Sequence, residues 1–200
     1  MVGSHGRSAL GRFVLGSMSQ RVVTEARCSV RIARGRVEEP GSPVRIIIGI
    51  DGSPASQAAV RAVAERNWPW QSQACVVIVD DPLKPTFVGE LVPLVTESVA
   101  ASNRIDRARI EKLADDAAQL ITSKNLPASA LIEEGDPKRV LPRVAEAWGA
   151  NSIFVGATGC SNRFERFVLG SVSAAVAARA HCSVEVVRPR EQRKRKTNGN

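Results

Sequence analysis

Two hundred residues, 44% hydrophobic and 24% charged, suit one ordinary globular domain with a stretch to spare and exclude wholesale disorder, a collagen-like fibre and a coiled coil. The net charge of +8 is concentrated at the ends, with +6 in residues 1–36 and +5 in residues 188–200, so the middle is mildly acidic and the basic balance is no stripe on a folded body. Aromatics amount to 4% with no tyrosine, which leaves little for bases to stack on and argues against a nucleic-acid partner.

In chain order, the first feature is a copy of the last. Arg12-Phe-Val-Leu-Gly-Ser-Met-Ser19 repeats as Arg166-Phe-Val-Leu-Gly-Ser-Val-Ser173, and the match continues at an offset of 154 through Ala26/Ala180, Cys28-Ser-Val30/Cys182-Ser-Val184 and Arg34/Arg188. Upstream, Gly3-Ser-His-Gly6 matches Gly156-Ala-Thr-Gly159. A unit seen twice at this spacing is not a solenoid; it reads as a tandem whose first member keeps only its last quarter. Residues 1–35 are then a helix and strand, with Met18, Val22 and Ala26 on one face, and residues 36–43 have the Pro, Gly and charge content of a linker.

A complete unit spans residues 44–188. Arg45-Ile-Ile-Ile-Gly-Ile50 is an apolar, β-branched run suited to a strand buried on both faces. Ser53-Pro54 supplies an N-cap and a first-turn proline for a helix to about Asn67, and Trp68-Pro-Trp70 is expected to pack under the loop that follows. A second strand covers Ala74 to Val79 and ends at Asp80-Asp81, a strand-end turn or a help to a cation. A proline-bearing loop and a helix from about Glu97 to Ser123 come next, then a brief strand at Ala130 to Ile132. Asp136-Pro137 caps another helix, which Pro142 should kink by removing a backbone donor. Ile153-Phe-Val155 is the fourth strand, Ser171 to Ala180 a helix and Ser183 to Val187 the fifth strand. Residues 189–200 are expected to be a basic, disordered tail.

Strand and helix alternate throughout, and right-handed crossovers between parallel strands build a three-layer α/β sandwich around a five-stranded parallel sheet. Ligands in such sheets bind beyond the carboxyl ends of the strands where the winding reverses. The residues there are Asp51, Val79 and Asp80, and the glycine loop after strand four. Gly156 and Gly159 lack a Cβ and so allow positive φ and close approach of N–H groups to an anion. Gly170-Ser171 opens a helix whose free N–H groups, with the hydroxyls of Ser171 and Ser173, form a polyphosphate cradle. Asp51 is an acceptor for a ribose hydroxyl or an adenine amine. Neither Gly-x-x-x-x-Gly-Lys-Ser/Thr nor Gly-x-Gly-x-x-Gly after a first strand is present.

These residues resemble the universal stress proteins, in particular the ATP-binding branch marked by Gly-x2-Gly-x9-Gly-Ser/Thr. The resemblance rests on Ile48-Gly-Ile-Asp-Gly-Ser53, Glu134-Gly-Asp-Pro137, Val155-Gly-Ala-Thr-Gly159 and Leu169-Gly-Ser-Val-Ser173. It implies an adenine nucleotide alpha hydrolase-like sandwich, dimerisation through the fifth strand, ATP held with Mg2+ or Mn2+, and a role in stress resistance or signalling. By position it places Asp51 on the adenosine, Val79 and Val155 beside the base, Gly156 and Gly159 along the ribose and phosphates, and Gly170, Ser171, Val172 and Ser173 on the phosphates. Two positions depart from the family pattern. Cys160 to Leu169 put ten residues between Gly159 and Gly170 where the motif has nine, although the N-terminal copy keeps nine; and Asn151 stands where the family usually has aspartate, with a local effect expected on the turn.

No apolar run reaches the ~18 residues of a membrane span, no signal-peptide pattern follows Met1, and the cysteines lie far apart without a CxxC pair, so a cytoplasmic setting is expected. Cys28 and Cys182 read as small core residues, and His5 and His181 as solvated. No residue set forms a catalytic constellation: there is no lysine placed against a transferring phosphate and no positioned general base. The expected function is a nucleotide-binding regulatory module rather than an enzyme; a slow ATPase and a nucleotide-free interaction or dimerisation module are the alternatives. With no strand of its own to carry a counterpart of Asp51, the N-terminal copy is expected to build no pocket and to seek burial against the fifth strand, in cis or across a dimer, as a pseudo-dimer.

Overall fold

The computed structural model describes residues 2–3, 15–35, 39–80, 93–159 and 169–189, with backbone alone at 2–3 and 93–106. The expectations for Gly6, residues 36–38, the loop at Pro82 and Pro85, Cys160 with its loop, and the tail from residue 190 lie outside these residues. The strands are β1 (Val2–Gly3), β2 (Val30–Ala33), β3 (Arg45–Ile50), β4 (Gln73–Asp80), β5 (Ala128–Glu134), β6 (Ser152–Gly156) and β7 (Ser183–Val187), and the helices are α1 (Ser17–Glu25), α2 (Pro54–Ala64), α3 (Pro93–Thr122), α4 (Pro137–Ala147) and α5 (Ser171–Arg179).

The strands lie in the order β1-β2-β7-β6-β3-β4-β5. From β7 to β5 every neighbouring pair is parallel, which is the expected five-stranded core. The sheet does not stop there, and this corrects the purely parallel expectation: β2 pairs antiparallel with β7 and the two-residue β1 pairs parallel with β2, so the whole is a mixed sheet. The physical reason is that β7 would otherwise end the sheet with a row of unpaired N–H and C=O groups; β2 occupies it, and all five residues of β7 are buried. The expected pairing of the N-terminal strand with Ser183 to Val187 is thus present within one chain.

Alternation hidden inside the apolar runs sorts the two cores. Ile46, Ile48 and Ile50 of β3, Val76 and Ile78 of β4 and Phe154 of β6 face α2 and α3. Ile47, Val77, Ile153 and Val155 face the opposite layer of α4 and α5. Ser53 caps α2, its oxygen accepting the Ser56 N–H at 3.1 Å, and Asp136 caps α4 through the Lys138 N–H at 3.0 Å. Pro142 lies inside α4 and has no N–H for the Lys138 carbonyl one turn back; that carbonyl is met instead by Arg179 Nη1 at 3.4 Å. Asn151 keeps the turn before β6 closed, its Oδ1 accepting the Arg45 N–H at 2.6 Å while its own N–H donates to the Arg45 carbonyl at 2.9 Å, so the amide provides the acceptor that an aspartate would.

Several local expectations are corrected. β5 runs seven residues rather than three, because pairing with β4 extends over its full length. In α1 the buried positions are Ser19 and Val23, while Met18 and Val22 are 70% and 37% exposed. Their repeat counterparts in α5 are Val172 and Val176; Val176 is buried in the layer that α4 and α5 share, and among the described residues no helix does for α1 what α4 does for α5. Trp68 packs edge-on against Phe154 and donates to the Val63 carbonyl at 2.8 Å, but Trp70 is 87% exposed. Cys28 is exposed, not core, whereas Cys75 and Cys182 are buried.

Burial pushes the Cys182 thiol up to about 11 against the opposing pull of Arg34, and burial also raises Cys75. Both should therefore resist iodoacetamide at pH 8 in the folded protein and react after denaturation. The unfolded Cys182 thiol releases its proton near 9.0 and the folded one near 11, so unfolding stability should decline as pH rises through that window. Peptide mapping with native carbamidomethylation of Cys182 at pH 8, or stability that rises from pH 9 to 11, would contradict this.

Candidate functional site

Asp51 is the first residue after β3, at the point where the chain continues to β4 on one side while β6 borders the other. Its Oδ1 accepts the Ser53 N–H at 3.0 Å, a short-range turn of the kind aspartate favours. Gly52 between them has φ +77°, a left-handed conformation that glycine adopts without strain. Ser53 Oγ also donates to the Thr158 carbonyl at 3.3 Å, which ties the start of α2 to the loop after β6. On the other side, the Gly170 N–H donates to the Ala157 carbonyl at 2.7 Å, and Ala157 N–H donates to the Val187 carbonyl at 2.8 Å. The loop after β6 is held at both ends.

Around these contacts lies a cavity of about 590 Å³, within the range of small-molecule sites. Asp51, Val79, Val155, Gly156, Gly159, Gly170, Ser171, Val172 and Ser173 all line it; the structure brings every predicted site residue together. The N-terminal turn of α5 faces this space, with no acidic residue in that turn to oppose an anion, and its first N–H groups have no acceptor within the helix. Among the described residues that line the cavity, Asp51 is the one charged side chain. The arrangement suits a ligand with an apolar plate to lie against Val79 and Val155, hydroxyls or amines for Asp51, and an anion for the α5 terminus.

The structure adds a local packing role to four of these residues. Neither Gly156 nor Gly159 has the positive φ expected to explain it, and Gly170 has none either, so conformational handedness is not why they are glycine. A Cβ on Gly156 would sit 2.6 Å from backbone atoms of Ala55 and Ser56: this glycine lets α2 approach β6. A Cβ on Gly170 would meet the Ala157 carbonyl oxygen at 3.2 Å, a contact within the loop. A Cβ on Gly159 would lie 2.9 Å from Asp51 Oδ2, and this is the glycine that faces the site. Ser173 is buried and its hydroxyl donates to the Gly156 carbonyl, so it holds the loop and is spent as a side-chain donor to a phosphate; Ser171 is exposed to the cavity mouth.

Gly49, Val77, Pro137, Leu141 and Thr158 also line the cavity and were not singled out from the sequence. Val77 was within reach, since it stands two residues before Val79 on the same strand face. Leu141 and Pro137 come from α4, whose approach depends on Gly49: a Cβ there would meet the Leu141 side chain at 2.9 Å. Asp80, expected at a strand-end turn or as a help to a cation, has its carboxylate 3.8 Å from Arg107, which also reaches Glu134 at 3.8 Å. Among the described residues no three His, Cys, Asp or Glu side chains are grouped to hold a metal ion, and no helix is long and apolar enough to cross a membrane.

Residues 1–34 and 44–188 match the model of the universal stress protein family. A universal stress protein of Mycolicibacterium smegmatis is 30% identical over 200 residues, covering 95% of this chain and 61% of that protein, so the chain spans less than two thirds of the length of this relative. UspA of Lactobacillus plantarum superposes with a TM-score of 0.57 at 25% identity, over 72% of this chain and 97% of that one. A universal stress protein solved in complex with cAMP superposes with a TM-score of 0.50 at 21% identity, over 74% of this chain and 98% of that one. With a family model matched over both segments and the α/β sheet shared with solved members, the chain belongs to the universal stress protein family.

Proposed function

We propose that residues 44–188 bind an adenine nucleotide, ATP with Mg2+ or Mn2+, in the cavity at the head of β3 and β6, and that the chain acts as a nucleotide-dependent signalling or protective module in the cytoplasm. The observation that carries the reading is the meeting of the nine predicted residues in one cavity between Asp51 and the start of α5. The residues fit the ligand chemically. Val79 and Val155 offer apolar faces for a base, Asp51 accepts from a ribose or an exocyclic amine, and the N–H groups of Ser171, Val172 and Ser173 at a helix N-terminus receive phosphate oxygens. Among the described lining residues there is a single carboxylate, so Mg2+ or Mn2+ would arrive with the phosphates rather than sit in a protein cage. The solved relative in complex with cAMP supports the adenine class.

Among the described residues that line the cavity there is no lysine or arginine to neutralise charge developing on a transferred phosphoryl group, and the reading is of binding rather than turnover. Calorimetry with ATP and Mg2+ should give a saturable heat that Asp51→Ala weakens at least about tenfold, the cost of one charged hydrogen bond. No heat with the wild type at millimolar ATP sinks the reading; release of labelled phosphate at a rate of turnovers per second would replace it with the ATPase alternative.

A further inference from the structure

The edge of β7 carries a choice of partner that its geometry makes legible. Adding the repeat offset of 154 to Val30 and Ile32 gives Val184 and Val186, and the ladder pairs Val30 with Val186 and Ile32 with Val184. The β2–β7 contact is therefore related to itself by a two-fold axis through the central pair, Arg31 and Glu185, the arrangement of an isologous interface. The contacts flanking the axis obey the same exchange. The Arg34 N–H donates to Ser183 Oγ at 3.1 Å, and the Arg188 N–H donates to Ser29 Oγ, its repeat counterpart, at 3.0 Å. The guanidinium groups follow the exchange only in direction: Arg34 Nη1 crosses to the Ala180 carbonyl just after α5 at 2.8 Å, and Arg188 Nη2 crosses to the Val23 and Thr24 carbonyls near the end of α1 at 3.0 and 3.2 Å, which are not the counterparts of Ala180.

The flanking ladder residues are aliphatic on both strands, Val30 and Ile32 on one and Val184 and Val186 on the other, and the pair on the axis is where the two differ in charge. Glu185 is 7% exposed; Arg66 holds both its oxygens, at 2.8 and 3.0 Å, and Arg31 stands opposite at 3.9 Å. If a second copy offered its own β7 in the same register, glutamate would stand opposite glutamate, each with both oxygens already taken by Arg66. Like charges directly opposite in an antiparallel pair repel, and burial at this site strengthens the repulsion. Length favours the same outcome. Because β2 runs against β7, Ala33 ends on the side of the sheet where Arg45 begins, three strand spacings or about 15 Å away, and the intervening chain extends to roughly 35–40 Å. The segment is tethered next to its site at a high effective concentration.

We propose that Arg31, facing Glu185 on the two-fold axis of the β2–β7 contact, is the residue that selects the tethered segment over self-pairing of two β7 edges. The test uses the full chain, by light scattering and amide hydrogen exchange. The wild type should have the mass of one chain, 21.4 kDa, at micromolar concentration, with the amides of residues 183–187 protected. Arg31→Glu puts a carboxylate opposite Glu185 and should lower that protection at least about tenfold without raising the mass, because self-pairing meets the same repulsion. Arg31→Glu with Glu185→Gln should recover it, a rescue that general loss of packing would not give. Unchanged protection in Arg31→Glu, no recovery in the double variant, or a doubling of mass in Arg31→Glu as second copies take the freed edge overturns the proposal. The outcome is independent of whether the cavity binds nucleotide.

Discussion

Gly156→Ala is expected to lower the melting temperature by about 6–12 °C, the equivalent of roughly 3 kcal/mol in a chain of this length. The added Cβ would lie 2.6 Å from Ala55 C and Ser56 N and 2.9 Å from the Ala55 Cβ. Two of these atoms are backbone in the first turn of α2 and cannot swing aside as a side-chain tip would, so the helix itself has to retreat from β6. That turn carries the N-cap Ser53 and the Asp51–Ser53 bond, and the damage extends to the site through them. Thermal unfolding monitored by circular dichroism measures the effect. A shift of less than 2 °C would show that α2 yields at little cost and that Gly156 is not what sets its distance.

Gly159→Val is expected to do the opposite, leaving the fold intact while weakening ATP binding at least about a hundredfold, or 2.7 kcal/mol. The backbone at Gly159 has no left-handed φ that would penalise an L side chain, and among the described residues the Cβ meets Asp51 Oδ2 alone, at 2.9 Å. A carboxylate tip can turn away, so the substitution is cheap for stability. It is costly for a ligand, because the valine methyl groups fill the space between Asp51 and the loop and the carboxylate leaves the direction from which it would meet a ribose or amine. Melting curves and calorimetry on the same preparation separate the two effects. Equal affinity in variant and wild type would mean that the nucleotide does not pass between Asp51 and Gly159; a melting point as low as that of Gly156→Ala would mean that the two glycines share a structural role.

Among the nine residues named from the sequence, the strand-end and helix-start positions were legible because each depends on local pattern. An apolar β-branched run marks β3, β4 and β6, Ser-Pro and Asp-Pro mark the starts of α2 and α4, and Gly170-Ser171 marks the start of α5. Parallel topology then sends Asp51, Val79 and the glycine loop to one end of the sheet, since every strand of the core points the same way. What each glycine does there was not legible. Gly156, Gly159 and Gly170 are the same residue type in one loop, yet their missing Cβ atoms face α2, Asp51 and Ala157 respectively, and only packing between distant segments decides which. Ser173 shows the same limit: two residues after Ser171 in a serine-led helix it reads as a phosphate donor, but two helical steps of about 100° each separate a hydroxyl at the cavity mouth from one turned inward to Gly156.

The sequence by itself determined that this chain repeats its own end, that its middle is an alternating strand–helix unit, and that a cavity-forming end of the sheet carries Asp51 and the glycine loop, because these follow from periodicity, caps and identity of residues close in the chain. It also contained the repeat whose offset relates β2 to β7. Only the tertiary structure decided that these two strands pair antiparallel within one chain, turning a parallel sheet into a mixed one, and that the register sets Arg31 against Glu185. The reason is that hydrogen-bond partners of an edge strand, and the charge that ends up across from a buried glutamate, are chosen by contacts between segments about 150 residues apart, where local preference has no say.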